Sequence, residues 1–286
     1  MRFKKKLIAW LKIIVIPFYL FIVSASMADE LFRYNFSEND TLNYSINIVS
    51  KIKFGEFENL ARLLNIDNMT HSLNMDAVLT TESIYSDNSA VVKAIFRKIS
   101  SVLITGDKVS TDDGSNWGSI KPGSEYSFVI TPEGEITDFY GPDTIMTQQG
   151  IQMIQRFFPV FPESAVSEGF SWNDSVIIEI EMPGKEPVEI LSQMTYLYDG
   201  KGSYENIDVH NFEFTSNGIA GDSSVELSGQ GLFNFNKVRG RIVNNSADFL
   251  INANVDPAAF GLPVKIKSGI PINLESKVEV KLYDGR

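Results

Sequence analysis

The 286-residue chain contains no cysteine, and that absence removes several chemistries at once. Disulfides, thiol nucleophiles, iron–sulfur clusters, zinc sites with cysteine ligands and a lipid-bearing N-terminal cysteine are all excluded. Histidine is nearly absent as well: only His71 and His210 occur, which leaves little for metal or acid–base work. Positive charge is scarce beyond the start of the chain. Five of the 25 basic residues, Arg2, Lys4, Lys5, Lys6 and Lys12, precede the first acid, Asp29. The rest sets 20 basic against 36 acidic residues, so it repels phosphate, and nucleic acid and anionic membrane surfaces are poor partners. No apolar run after residue 28 approaches the ~20 residues that cross a bilayer. What is present is globular in composition, 43% hydrophobic and 21% charged.

Residues 1–28 read MRFKKKLIAWLKIIVIPFYLFIVSASMA. A basic start, an apolar stretch to Val23 and the small residues of Ser26-Met27-Ala28 make the pattern of a secretory signal peptide cut before Asp29, with a cut after Ala25 as the alternative. Lys12 leaves 11 uncharged residues from Ile13 to Val23, too few to span a membrane as an anchor. The expectation is an exported chain, periplasmic or extracellular, not lipid-anchored through cysteine. Residues 29–286 then form a single β-rich domain.

The dominant signal in 29–286 is alternation of apolar and polar residues. In 42–54 Leu42, Tyr44, Ile46, Ile48, Ile52 and Phe54 share one parity, with Asn43, Ser45, Asn47, Lys51 and Lys53 on the other. In 264–282 Val264, Ile266, Ile270, Ile272, Val278 and Leu282 oppose Lys265, Lys267, Glu275, Lys277 and Lys281. Similar runs cover 73–85, 126–130, 172–182, 188–198, 225–235 and 243–255. Strict alternation marks strands with one buried and one wet face, hence an antiparallel sheet. The stretch 89–104, with Val91-Val92 and Ile95-Phe96, reads as a central strand covered on both faces. Turn residues separate the runs: Ser86-Asp87-Asn88, Thr131-Pro132-Glu133-Gly134, Pro183-Gly184-Lys185 and Asn236 to Gly240. The register around 203–216 is open, because Asn206-Ile207-Asp208 reads equally as a turn or as mid-strand.

Two segments have helical spacing. Residues 56–65 place Phe57, Leu60, Ala61 and Leu64 on one face. Residues 143–158, from Asp143 as N-cap to Pro159, carry a stripe of Met146, Met153, Ile154, Phe157 and Phe158. Gly150 costs this helix about 1 kcal/mol relative to Ala. The resulting fold class is mainly β: a large, strongly curved antiparallel meander, a half-barrel, covering one or two short helices.

Certain residues carry a resemblance. Arg33-Tyr34-Asn35-Phe36 with Asp40 and Tyr44, Ser127 to Ile136, and Gly229-Gln230-Gly231-Leu232-Phe233-Asn234-Phe235 resemble an uncharacterised family of exported bacterial proteins. So does the proline-rich stretch from Phe158 to Val166 leading to Gly169-Phe170-Ser171-Trp172. Its general look is similar to the half-barrels of lipoprotein carriers, in which a sheet wraps around helices. The resemblance implies that architecture and no catalytic residues.

The remaining candidates are weak against ordinary alternatives. His71 and His210 lack any metal-ligand spacing and read as isolated polar surface residues. Asp112 to Asn116 lacks the ligand order of a calcium loop and reads as a hairpin tip. Glu179 and Glu181 share a strand face without a partnered base. No cofactor or metal is expected, nor a transmembrane span in the mature chain. The best expectation is a non-enzymatic envelope module holding an apolar or lipid-like ligand on the concave face. Tyr44, Ile46, Ile48, Phe128, Ile130 and Phe233 would line it, beneath a lid or plug of Met146, Met153, Ile154, Phe157 and Phe158. The alternative is an envelope scaffold with a filled core and a protein partner; a hydrolase comes third.

Overall fold

The computed structural model describes residues 29–63, 65–67, 69–112, 120–142, 150–151, 154–155, 157–180, 188–221, 225–255 and 269–283. Twelve strands form one open antiparallel sheet. They are β1 (Thr41–Lys53), β2 (Met69–Ile84), β3 (Ala90–Thr105), β4 (Lys108–Asp112), β5 (Glu125–Ile130) and β6 (Ile136–Tyr140), followed by β7 (Ser171–Ile180), β8 (Val188–Tyr204), β9 (Ile207–Ala220), β10 (Val225–Asn236), β11 (Arg241–Val255) and β12 (Ile270–Tyr283). The order is β6-β5-β3-β2-β1-β12-β11-β10-β9-β8-β7, with β4 paired to the far part of β3. Two meanders therefore meet where the first strand pairs with the last, Tyr44 opposite Leu282 and Ser50 opposite Ser276. One short helix, α1 (Glu58–Leu63), follows a 3-10 turn at Gly55–Phe57 and buries Ala61 against the lower end of the sheet.

Alternation translates into burial as the sequence pattern requires. Tyr44 and Ile46 on β1, Leu73, Met75 and Ala77 on β2, and Val278 and Val280 on β12 are buried, while Asn47, Lys51 and Lys277 are exposed. Three expectations need correction. The strand at 89–104 is neither central nor doubly covered: β3 lies third from one edge, and Val91, Lys93 and Ile95 on its outer face are half-buried. The run at 264–282 is a strand from Ile270 only, and Val264 and Ile266 lie outside the described residues. The open register at 203–216 resolves into a tight turn at Glu205-Asn206, whose φ values of 48° and 66° suit a two-residue hairpin. The expected signal segment 1–28 lies outside the described residues, as do residues 113–119 and 181–187, which hold most of the Asp112–Asn116 stretch and Glu181.

Residues 29–40 form a strap over one end of this sheet, and the strap measures its curvature. The Tyr34 amide donates to the Pro132 carbonyl at 2.7 Å, and the next amide, Asn35, donates to Gly240 at 3.1 Å. Residues adjacent in the chain are ~3.8 Å apart, so the two acceptors lie within about 10 Å of each other. In a flat sheet, the five to six strand spacings between the β5 end and the β10–β11 turn amount to about 24–29 Å. The sheet is therefore rolled into a half-barrel. Glu30 exchanges both backbone bonds with Val166 and pairs with Lys201 at 2.7 Å and with Lys237. Arg33 pairs with Glu133 at 2.8 Å and donates to the carbonyls of Pro162 and Glu163. Phe32 sits within a ring of Phe161, Tyr198, His210, Phe212 and Phe235.

The segment 150–170 plugs the same end from inside. Residues 150–151 and 154–155 are helical, with Phe157 and Phe158 in the turn that leads to Pro159. The expected N-cap Asp143, with Met146 and Met153, lies outside the described residues. Trp172 donates its indole N–H to Val160 at 2.9 Å and stacks on Tyr196, which anchors the proline-rich stretch to β7 and β8. Gly150 is buried, and a Cβ there would overlap the Tyr126 ring. Glycine is thus required by close packing at this position.

Val278→Lys, at a site 6% exposed, removes about 1.5–3 kcal/mol of apolar burial and buries a charge, so denaturant titration shows near-complete loss of the folded state. Lys277→Glu beside it stays within about 0.5 kcal/mol of the parent. Gly150→Ala lowers stability by about 1–3 kcal/mol through overpacking, opposite in sign to the gain of about 1 kcal/mol from helix propensity. The Lys201 and Lys237 ammonium groups pull the Glu30 carboxyl down to about 2, against the small opposing effect of burial. A depressed carboxylate stabilises the fold above its ordinary pKa of 4.5 and loses that contribution as pH falls toward 2. Glu30→Gln is therefore less stable than the parent at pH 7, and the gap closes across that acid range.

Candidate functional site

The inner face of the half-barrel carries two apolar clusters. The upper one joins strap, plug and sheet, and it takes in most of the expected lining residues. Tyr44, Ile46, Phe128, Ile130, Ile154, Phe157, Phe158 and Phe233 are all buried there in mutual contact. Phe157 lies 5.0 Å from Tyr44 between ring centroids, and Phe158 packs edge-on against Tyr34 at 5.2 Å. The Tyr34 hydroxyl donates to Pro159 at 3.0 Å and the Tyr44 hydroxyl to Ile242 at 3.2 Å. Burial of these phenols raises their pKa well above the ordinary value, so both stay protonated donors. The lower cluster gathers Phe54, Ala61, Ile190, Val225, Leu227, Val255 and Ile270.

Between the clusters the inner face changes character. The cross-strand partners of Ser50 are His71 on β2 and Ser276 on β12; Ser276 in turn faces Phe249 on β11. Phe249 faces Gly229, which faces Ser216, which faces Met194 and then Asp174 at the β7 edge. One row of small and polar residues thus crosses an otherwise apolar surface. A Cβ at Gly229 would overlap the Phe249 ring, so the glycine lets that ring lie across the row. Within the row Ser50 and Ser276 share a 2.8 Å hydrogen bond, and His71 Nε2 meets Ser101 Oγ at 2.9 Å. Ser216 bonds the fully buried Ser192 at 2.6 Å.

A cavity of about 330 Å³ lies on this row. Its walls come from Ile48, Val278, Ala247, Ile251, Leu227 and Phe214, with Tyr196, Met194, Val176 and Ile178 toward β7. Gln155 and Pro159 of the plug form its upper boundary, and its polar wall atoms come from Gln155, Ser50, Ser216, Ser276 and Asn245. Among the described residues, no charged side chain lines it. Ile177 of the edge strand β7 is also among the lining residues, with its side chain 56% exposed on the outer face. Of the lining residues expected from sequence, Ile48 alone among the described ones borders this space; the others fill the cluster above it. Three larger depressions, of about 710, 670 and 420 Å³, include charged residues such as Lys93 and Glu125, or Asp248, Glu275 and Lys277, or Lys53, Glu58 and Asp67.

The histidines differ from their expected surface placement. His210 is 8% exposed, with its Nδ1 2.8 Å from the Tyr198 hydroxyl and its ring edge-on to Phe32 at 4.9 Å. His71 is half-buried on the inner face. Burial lowers the pKa of both, which favours the neutral imidazole. Among the described residues no group of three histidines and carboxylates could hold a metal ion. Nor is any helix among them long and apolar enough to cross a membrane.

No family model and no curated protein matches the chain. Among solved structures, a lipovitellin chain, from a study of its lipid–protein interactions, aligns with 87% of this chain at 14% identity and a TM-score of 0.51. This chain spans only 26% of that one, so the likeness is to one part of a larger protein. A Bacteroides fragilis protein with a YmcC-like fold aligns with 88% of this chain and 99% of its own, at 8% identity and a TM-score of 0.28. DynF of Micromonospora chersina aligns with 89% and 85% respectively, at 6% identity and a TM-score of 0.23. The lipovitellin match shows a shared sheet architecture, and the chain is similar to that protein in fold alone.

Proposed function

We propose that the chain is an exported, non-enzymatic binding module of the cell envelope that holds an apolar or lipid-like ligand on its concave face. The observation that carries this reading is the uncharged cavity of about 330 Å³ between two packed clusters, in the lower part of the size range of small-molecule sites. Its apolar walls, set in a core otherwise closed by fully buried aromatic rings, face water unless an apolar ligand covers them. Its described wall residues offer no carboxylate or imidazole for general acid–base chemistry, which favours binding over catalysis. The sheet it shares with lipovitellin, a protein whose solved structure concerns lipid–protein interactions, is in keeping with such a ligand. Export rests on the basic, apolar and small-residue pattern of 1–28.

An envelope scaffold is the second reading. Ile177, Leu191 and Ile219 stand in one cross-strand row on the outer face, 56%, 55% and 59% exposed, beside the unpaired edge of β7. An apolar row at an open sheet edge is a docking surface for a protein partner.

Binding of a neutral apolar fluorophore separates the two. The carrier reading expects one site per chain, and Ala247→Phe, which fills the cavity from β11, weakens binding at least tenfold while the fold persists. Absence of fluorophore binding by the parent protein, together with no lipid in its native mass spectrum, ends the carrier reading and leaves the scaffold.

A further inference from the structure

We infer that the cavity takes an uncharged amphiphile: a single apolar chain bearing a neutral hydroxyl, ester or amide, and not a fatty-acid anion or a phospholipid headgroup. This rests on the binding-module reading above and adds the chemistry of the ligand.

Three features carry it. First, none of the described lining residues is charged, so an anion among them would lose water without gaining a cation. Second, the walls do not lack polar atoms; they hold neutral ones in pairs. Ser50 and Ser276 are 2.8 Å apart, and Ser216 is 2.6 Å from Ser192. Each hydroxyl has one proton and two lone pairs: the Ser50–Ser276 pair, sharing one bond, keeps a second proton and spare lone pairs, whereas Ser192 also donates to Met194 Sδ at 3.9 Å, which leaves the Ser216 pair with lone pairs to offer. A carbonyl or hydroxyl of the ligand placed on the polar row can accept that proton, whereas a purely hydrocarbon guest leaves it unused. Third, an acidic side chain stands beside the cavity, and its charge is the wrong one for an anion. Asp174 on β7 is the cross-strand partner of Met194, a lining residue, and its carboxylate repels incoming carboxylate or phosphate. At the far end of the row His71 is buried enough to be neutral at pH 7 and offers no compensating cation.

The test is displacement of the bound neutral fluorophore by twelve-carbon competitors at pH 8, with the full chain. A monoacylglycerol and a fatty alcohol displace it at concentrations at least tenfold below those needed for the fatty acid or a lysophosphatidylglycerol. Lowering the pH through the carboxyl pKa of the fatty acid closes that gap for the fatty acid alone. The double variant Ser216→Ala with Ser276→Ala cuts the monoacylglycerol's advantage over the fatty acid three- to tenfold. Equal or better displacement by the ionised fatty acid overturns the inference while leaving the apolar site standing, as does a preference that survives unchanged in the double variant. Failure of the fluorophore to bind at all is a different result: it removes the binding-module reading and this inference together.

Discussion

Two neighbouring amides hold this architecture in shape. Tyr34 and Asn35 donate to carbonyls on opposite arms of the sheet, Pro132 after β5 and Gly240 after β10. An open sheet of eleven strands in sequence has a natural twist but no inherent reason to roll so far that these arms meet. The strap supplies one. Its backbone bonds fix the separation, and Phe32 and Tyr34 fill the space enclosed. Ion pairs from Glu30, Arg33 and Asp40 tie its two ends to β8, the β5–β6 turn and β11. The exposed members of these pairs contribute little singly; the buried rings contribute most of the attachment.

Curvature explains why the core divides. At the strap end, aromatic side chains from both arms close on the plug, with Phe158 6.1 Å from Phe128 on one arm and Phe161 4.8 Å from Phe235 on the other. At the other end, α1 and smaller aliphatic residues close the groove. The middle row holds Ser50, Ser276, Gly229 and Ser216, whose side chains are too short to reach across. Small residues on a concave face leave space, and space with hydroxyl pairs in its walls can take a partly polar guest. The cavity is thus a consequence of residue size along one cross-strand row.

Much of the sheet was legible in the sequence because alternation is a local signal: Ile46 inward and Asn47 outward follow from parity alone. Partner choice is not local. Nothing in the alternation of 42–54 or 270–282 says that these two strands, at opposite ends of the chain, pair in the middle of the sheet. The motif Arg33-Tyr34-Asn35-Phe36 was visible, but its work as a clamp depends on acceptors near residues 132 and 240. The site was legible only in part for a similar reason. Ile46 and Ile48 share parity and residue type, yet one is packed in the upper cluster and the other lines the cavity. Parity says which face a residue takes, not whether anything touches it. The serines of the row interrupt the apolar parity at positions 50, 216 and 276, and that interruption was the available signal. His210 was misplaced because its burial depends on Phe32, which comes from the strap.

The account depends on the sheet being rolled so that the β5–β6 and β10–β11 turns approach each other beneath the strap. The absence of native cysteine makes this measurable, since two introduced cysteines carry spin labels without competition. With labels at Glu135 and Val238, both exposed, pulsed electron–electron resonance should give a distribution centred near or below about 20 Å. A distribution centred at about 30 Å or more, the spacing of a flat sheet, would contradict the rolled half-barrel and the cavity that its curvature creates.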